Sequence, residues 1–111
     1  MAYDEALVQR IRELLATERG VAEKRMFGGL AFLVKGNMAV AASGQGGMLL
    51  RVDPDDGARY AEAVGVEPMV MRGKRMVGWL RVDTEVLRTK RDLERWVSRG
   101  VTYAKSLPAK R

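Results

Sequence analysis

Chemistry in this sequence has to come from carboxylates, cations and hydroxyls. The chain holds 0 His and 0 Cys, which removes thiolate nucleophiles, disulfides, the usual zinc sites and the one side chain that titrates near neutral pH. The densest carboxylate cluster is Asp53-Pro54-Asp55-Asp56. With Glu23 it is the set from which a metal-assisted reaction would be built, because magnesium and calcium take oxygen ligands. The same residues read more simply as a helix start, with Asp53 as cap, Pro54 at the first helical position, and Asp55 and Asp56 facing the positive end of the dipole. Their spacing matches no calcium loop. The capping reading is preferred, so no catalytic, cofactor-binding or metal-ligating residue is assigned, and a carboxylate metalloenzyme ranks last among the alternatives.

The cations are unevenly placed. Net charge is +6, yet residues 1–71 hold 8 Lys and Arg against 10 Asp and Glu, while residues 72–111 hold 12 against 4. Two groups in the basic third could contact phosphates: the turn Arg72-Gly73-Lys74-Arg75, and Arg88, Arg91, Arg95 and Arg99, which share one side of a helix at 100° per residue. Direct nucleic-acid binding through Arg72, Lys74, Arg75 and these four arginines is therefore the alternative function. No helix-turn-helix or RNA-binding signature accompanies them. The loop Ser43-Gly44-Gln45-Gly46-Gly47 lacks the lysine of a phosphate-binding P-loop and leads into a strand, so it reads as a plain connection.

The elements that must position these groups can be placed by periodicity. Leu7, Ile11 and Leu14 form a helical stripe between the cap Asp4 and about Glu18. Glu23 to Phe27 could form a short strand; clearer are Leu30 to Val34 and Met38 to Ala42 around Lys35-Gly36-Asn37, a hairpin signal. Met48 to Val52 is the next strand, and the helix opened by Asp53 stops at Gly65. Val66 to Met71 and Met76 to Val82 form a second hairpin. Thr89 then opens a helix to about Ser106, with Leu93, Trp96, Val97, Gly100 and Ala104 on its apolar side. The order α-β-β-β-α-β-β-α, with antiparallel hairpins dominant, predicts an α+β two-layer sandwich: a mostly antiparallel sheet of about five strands with helices on one face.

Both alternating sets of these strands are apolar: Leu30, Phe32 and Val34 against Ala31 and Leu33; Met48, Leu50 and Val52 against Leu49; Met76, Leu80 and Val82 against Val77 and Trp79. A sheet wet on one face alternates more cleanly. The face carrying Leu33, Leu49, Val77 and Trp79 is therefore expected to meet something, with self-association as a homodimer the cheapest candidate for a small domain. A homodimer or partner surface there is weighed evenly against a face covered by the long terminal helix or left as a modest apolar patch. The chain's 7 Met would suit adaptable packing there.

At 111 residues and 47% hydrophobic, the chain has the size and composition of one folded domain spanning residues 1–111. It has no apolar run long enough for a membrane span and no signal-like start, so a cytoplasmic location is expected.

Several ordered motifs carry a resemblance. They are Arg25-Met26-Phe27-Gly28-Gly29-Leu30-Ala31-Phe32, Gly36-Asn37-Met38, Leu50-Arg51-Val52, Gly73-Lys74-Arg75-Met76-Val77-Gly78-Trp79, Trp96-Val97 and Ala104-Lys105-Ser106-Leu107-Pro108. Together, from about Tyr3 to Pro108, they resemble the N-terminal domain of the TfoX/Sxy family of bacterial competence regulators. The motif residues singled out are Met26, Phe27, Gly28, Gly29, Gly78 and Trp79. The resemblance implies a compact secretion-chaperone-like α/β domain without catalytic activity or cofactor, acting as a regulatory or interaction module linked to transcription. In full-length regulators a helical C-terminal domain follows. Local physics offers its own account of the first motif, with Met26 and Phe27 as core anchors before glycines that permit a bend.

Overall fold

The computed structural model of the chain describes residues 3–26 and 28–109, and for Val77 the backbone alone. Phe27 lies outside the described residues. Three α-helices, α1 (Glu5–Leu14), α2 (Pro54–Tyr60) and α3 (Lys90–Ser106), pack against one face of a sheet. The strands are β1 (Val21–Met26), β2 (Gly29–Val34), β3 (Asn37–Ala42), β4 (Met48–Arg51), β5 (Val66–Met71) and β6 (Lys74–Val82). They run in the order β1-β2-β3-β4-β6-β5, with each neighbouring pair antiparallel. This is the predicted α+β sandwich with six strands instead of about five.

The helix starts are set locally, as the sequence implied. Asp4 accepts the Ala6 and Leu7 N–H groups at 2.9 and 3.2 Å, Asp53 accepts Asp55 N–H at 2.9 Å, and the Thr89 hydroxyl accepts Asp92 N–H at 3.1 Å. Each satisfies a donor that the first helical turn leaves without a partner. α1 proper ends at Leu14 instead of about Glu18, and turns lead from there to Gly20. A 3-10 turn over Thr84–Leu87, absent from the sequence reading, buries Leu87 and leads into α3.

The sixth strand was hard to see because β1 is polar. It pairs with β2 from Val21↔Val34 to Met26↔Gly29, and Ala22, Glu23, Lys24 and Arg25 are exposed. Charged side chains on an outer strand discourage pairing with another sheet. Arg12 ties this edge to α1 through a two-point ion pair with Glu23, both N···O distances being 2.7 Å.

Between the layers lies the main core. Leu30, Phe32 and Val34 of β2, Val40 and Ala42 of β3, Met48 and Leu50 of β4, and Leu80 and Val82 of β6 face Ile11 of α1 and Leu93, Trp96 and Val97 of α3. Phe32, Val34, Val40 and Ile11 have no solvent exposure, and burying each such side chain contributes roughly 1.5–3 kcal/mol. At one end Asn37, itself buried, donates its side-chain N–H to the Pro108 carbonyl at 2.9 Å, fastening the segment after α3 to the start of β3.

Candidate partner surface

The face of the sheet turned away from the helices has a core of its own. Ala31, Met38, Ala41, Leu49 and Met69 are buried there, and Met26, Leu33, Met76 and Trp79 pack against them partly exposed. Four of the chain's 7 Met belong to this cluster, and two of them arrive by breaks in strand register.

In the β2–β3 pair Phe32 faces Val40 but Leu33 faces Met38, so Ala39 has no opposite number. Strict alternation would turn Met38 the same way as Val40. The extra residue instead puts Ala39 in the main core and Met38 on the second face. In the β5–β6 pair Pro68 faces Leu80 and Met69 faces Met76, leaving Val77, Gly78 and Trp79 without partners in β5. The strand pattern grouped Met76 with Leu80 and Val82. The structure corrects this, because the irregularity moves Met76 into the second cluster beside Trp79 while Leu80 and Val82 stay in the main core.

Gly78 makes the second break. Its φ is 89°, a conformation that costs a side chain steric strain. A Cβ there would lie 2.9 Å from the Val52 carbonyl oxygen. Gly29 answers a different need: a Cβ would collide with the Ala42 carbonyl oxygen, so β2 and β3 approach only with glycine there. The glycines of the motif thus shape the ends of this face, and no ligand role is needed to account for them. Met26 anchors the second cluster instead of the main core.

Of the residues expected at a partner surface, Leu33 and Trp79 are partly exposed on this face. Leu49 is only 1% exposed within the monomer, so it forms the floor of the face and not its contact surface. The Val77 side chain lies outside the described structure. Beyond these, the β5–β6 hairpin carries Val70 and Met71 at 62% and 41% exposure, and it turns at Arg72-Gly73 directly into Lys74. A two-residue turn replaces the four-residue turn expected from Arg72 to Arg75.

The sequence reading missed Arg51, whose signal was a lone cation in the apolar run Leu49-Leu50-Arg51-Val52. It pairs in register with Trp79, and its guanidinium carbon lies 5.4 Å from a Trp79 ring centre and 5.5 Å from the Tyr103 ring of α3. The two rings, one from each layer, fix the planar group by cation–π attraction while leaving its N–H edge available. That edge has no acceptor among the described residues. Register puts Lys24 opposite Ala31 and Arg81 opposite Leu49. Lys74 is two residues from Met76 and pairs with Met71. Among the described residues four cations thus border the apolar face, against one carboxylate, Glu67, opposite Arg81.

The two expected phosphate-binding groups are not brought together. Arg72, Lys74 and Arg75 sit at the turn end of β6, whereas Arg88 and Arg91 follow its other end, roughly 25 Å away along a strand of nine residues. The ridge is also partly occupied. Arg88 pairs with Glu85 at 3.4 Å and Arg95 with Asp92 at 3.6 Å, while Arg99 stacks on Tyr60 and Trp96 at 4.2 and 4.5 Å. Arg91 is exposed.

The carboxylates are dispersed among structural roles. Asp53 caps α2, Asp56 pairs with Arg59 at 2.9 Å, and Glu23 is held by Arg12, whose hydrogen bond lowers its pKa below the ordinary value. The same bond raises the Arg12 pKa. Among the described residues no group of three or more His, Cys, Asp or Glu is placed to hold a metal ion. In the Gly-rich loop, the Ser43 hydroxyl accepts from Arg81 at 3.1 Å, and the cleft beside it, about 420 Å³, carries Glu67 and Asp83 as well as Arg81. A cleft of about 440 Å³ between α2 and α3 likewise mixes Asp53 and Asp56 with Arg99. Neither selects ions of one sign.

Comparison with known proteins bears on this face. The family model described as the TfoX N-terminal domain matches residues 13–104, a span that holds both register breaks and all six strands. The chain belongs to the TfoX N-terminal domain family. None of the curated proteins or solved structures compared with it matches. TfoX N-terminal domains are regulatory-type domains and not a known enzyme family. In this TfoX N-terminal domain, no helix among the described residues is long and apolar enough to cross a membrane.

Proposed function

We propose that this TfoX N-terminal domain is a non-catalytic regulatory module that binds another protein through the methionine-lined face of its sheet, in a pathway of transcriptional control. One observation carries the reading. The face opposite the helices is apolar at Met26, Leu33, Met76 and Trp79, each partly exposed, and strand alternation from Met69 continues it onto Met71 of the hairpin. An apolar surface of this kind on a small domain marks a contact site, and flexible thioether side chains suit a surface that must adapt to its partner. The family's regulatory character agrees with it.

The test is site-specific photocrosslinking in the native cell. A photoreactive residue at position 33 or 76 is expected to yield a discrete crosslinked protein, and one at Glu94, exposed on α3, is expected to yield none. The reading is lost if positions 33 and 76 give no crosslink, or give only what Glu94 gives.

A further inference from the structure

We infer that the partner segment seated on this face is an acidic amphipathic helix, with one of its carboxylates received by Arg51. The inference rests on the interaction reading above and adds the chemistry of what is bound. Charge decides the occupant. Lys24, Arg51, Lys74 and Arg81 border the apolar cluster, and among the described residues Glu67 is the one opposing carboxylate, so the face is apolar at its centre and cationic at its edges. A helix with one apolar stripe flanked by Glu or Asp matches both properties at once.

A second copy of the chain fits worse. A two-fold dimer would set this patch against itself and bring the same cations face to face, where like charges repel. Nucleic acid fits the edges but not the centre, since phosphates gain nothing from methionines and a buried leucine floor.

Arg51 is the residue prepared for a carboxylate. Held between Trp79 and Tyr103, its guanidinium surrenders little conformational freedom on binding, and its N–H groups form a planar fork that matches two carboxylate oxygens. Lysine keeps the charge but has neither the fork nor the stack.

The experiment uses the whole chain and three fluorescent synthetic peptides of equal length with an identical leucine stripe at helical spacing. Their polar positions carry Glu, Lys or Gln, and binding is read by anisotropy over a range of salt. The Glu peptide is expected to bind at least about tenfold more tightly than the Lys peptide, with affinity falling as salt rises. Arg51→Ala is expected to weaken it about tenfold and Arg51→Lys to recover only part of that loss. Lys74→Ala, an exposed change that leaves the fold intact, is expected to weaken it by a smaller factor, and Arg91→Ala to have no effect.

Equal binding of the three peptides, preference for the Lys peptide, or an Arg51→Lys variant as good as the parent would overturn the inference. So would displacement of the Glu peptide by single-stranded DNA, or sedimentation as a dimer that Leu33→Glu dissolves. If crosslinks at positions 33 and 76 still reach a protein while the peptides show no acidic preference, the interaction reading stands and the acidic helix is discarded.

Discussion

The Gly78 carbonyl accepts the Val52 N–H at 2.8 Å, joining the residue at which β6 breaks register to the residue that leads from β4 toward α2. This contact holds Trp79 against Arg51 and lets the hairpin beyond it carry Met69 and Met76 onto the second face. Any side chain at Gly78 meets both a positive φ and the Val52 carbonyl. Gly78→Ala is expected to destabilise the chain by about 2 kcal/mol. Urea denaturation followed by circular dichroism should show a lower midpoint with little change in slope.

Asn37 is the clamp on the segment after α3. Replacing it with Ala removes the donor to the Pro108 carbonyl and should cost about 1–2 kcal/mol. Amide exchange should speed up in the last turn of α3 while staying slow in β3 and β4. Uniform acceleration across the chain would mean that Asn37 matters to the fold as a whole and not to this attachment.

Strong acid should remove the contribution of the α1–β1 ion pair. The Glu23 pKa lies below its ordinary value of 4.5 because Arg12 donates to it, with burial working in the opposite direction. A carboxylate depressed in the folded state adds stability above its unfolded pKa and loses it as pH falls through the folded one. Glu23→Gln should therefore lower the thermal midpoint slightly at neutral pH and not at all at the acid end of the range. The effect is small because the pair is partly exposed. A difference that grows on acidification contradicts the assignment.

Titration with a labelled DNA duplex should give weak binding with a shallow salt dependence. With Arg88, Arg95 and Arg99 already engaged and the hairpin cations at the other end of β6, few phosphates can be met at once. A log–log slope steeper than about −4, corresponding to at least four phosphates, would revive the nucleic-acid reading. Arg91→Glu with Arg95→Glu should leave crosslinking at position 33 unchanged.

What could be read in the sequence was what neighbours decide. Asp4, Asp53 and Thr89 cap their helices as expected because a cap and its target N–H are three or fewer residues apart. The inward face of β2 followed simple alternation at Leu30, Phe32 and Val34. The register breaks were not legible, because Ala39 and Gly78 become irregular only when a partner strand is laid beside them. Met76 was accordingly assigned to the wrong face. Arg51, quoted within a motif, was given no site role for a related reason: the rings that hold it come from another strand and from α3, and nothing near it in sequence hints at either. β1 was undervalued because the exposed run Glu23-Lys24-Arg25 of an edge strand lacks the apolar alternation that marks its neighbours.

The strand order also implies a sequence of events. β1 to β4 can form as a meander, each strand beside the next with only short connections, whereas β6 reaches β4 only after α2 and β5 have been made. Closing that longer loop carries the larger entropic cost, so the β4–β6 seam is the natural late step of folding. Trp79 sits on that seam, paired with Arg51, giving the chain an intrinsic fluorophore that should report its closure.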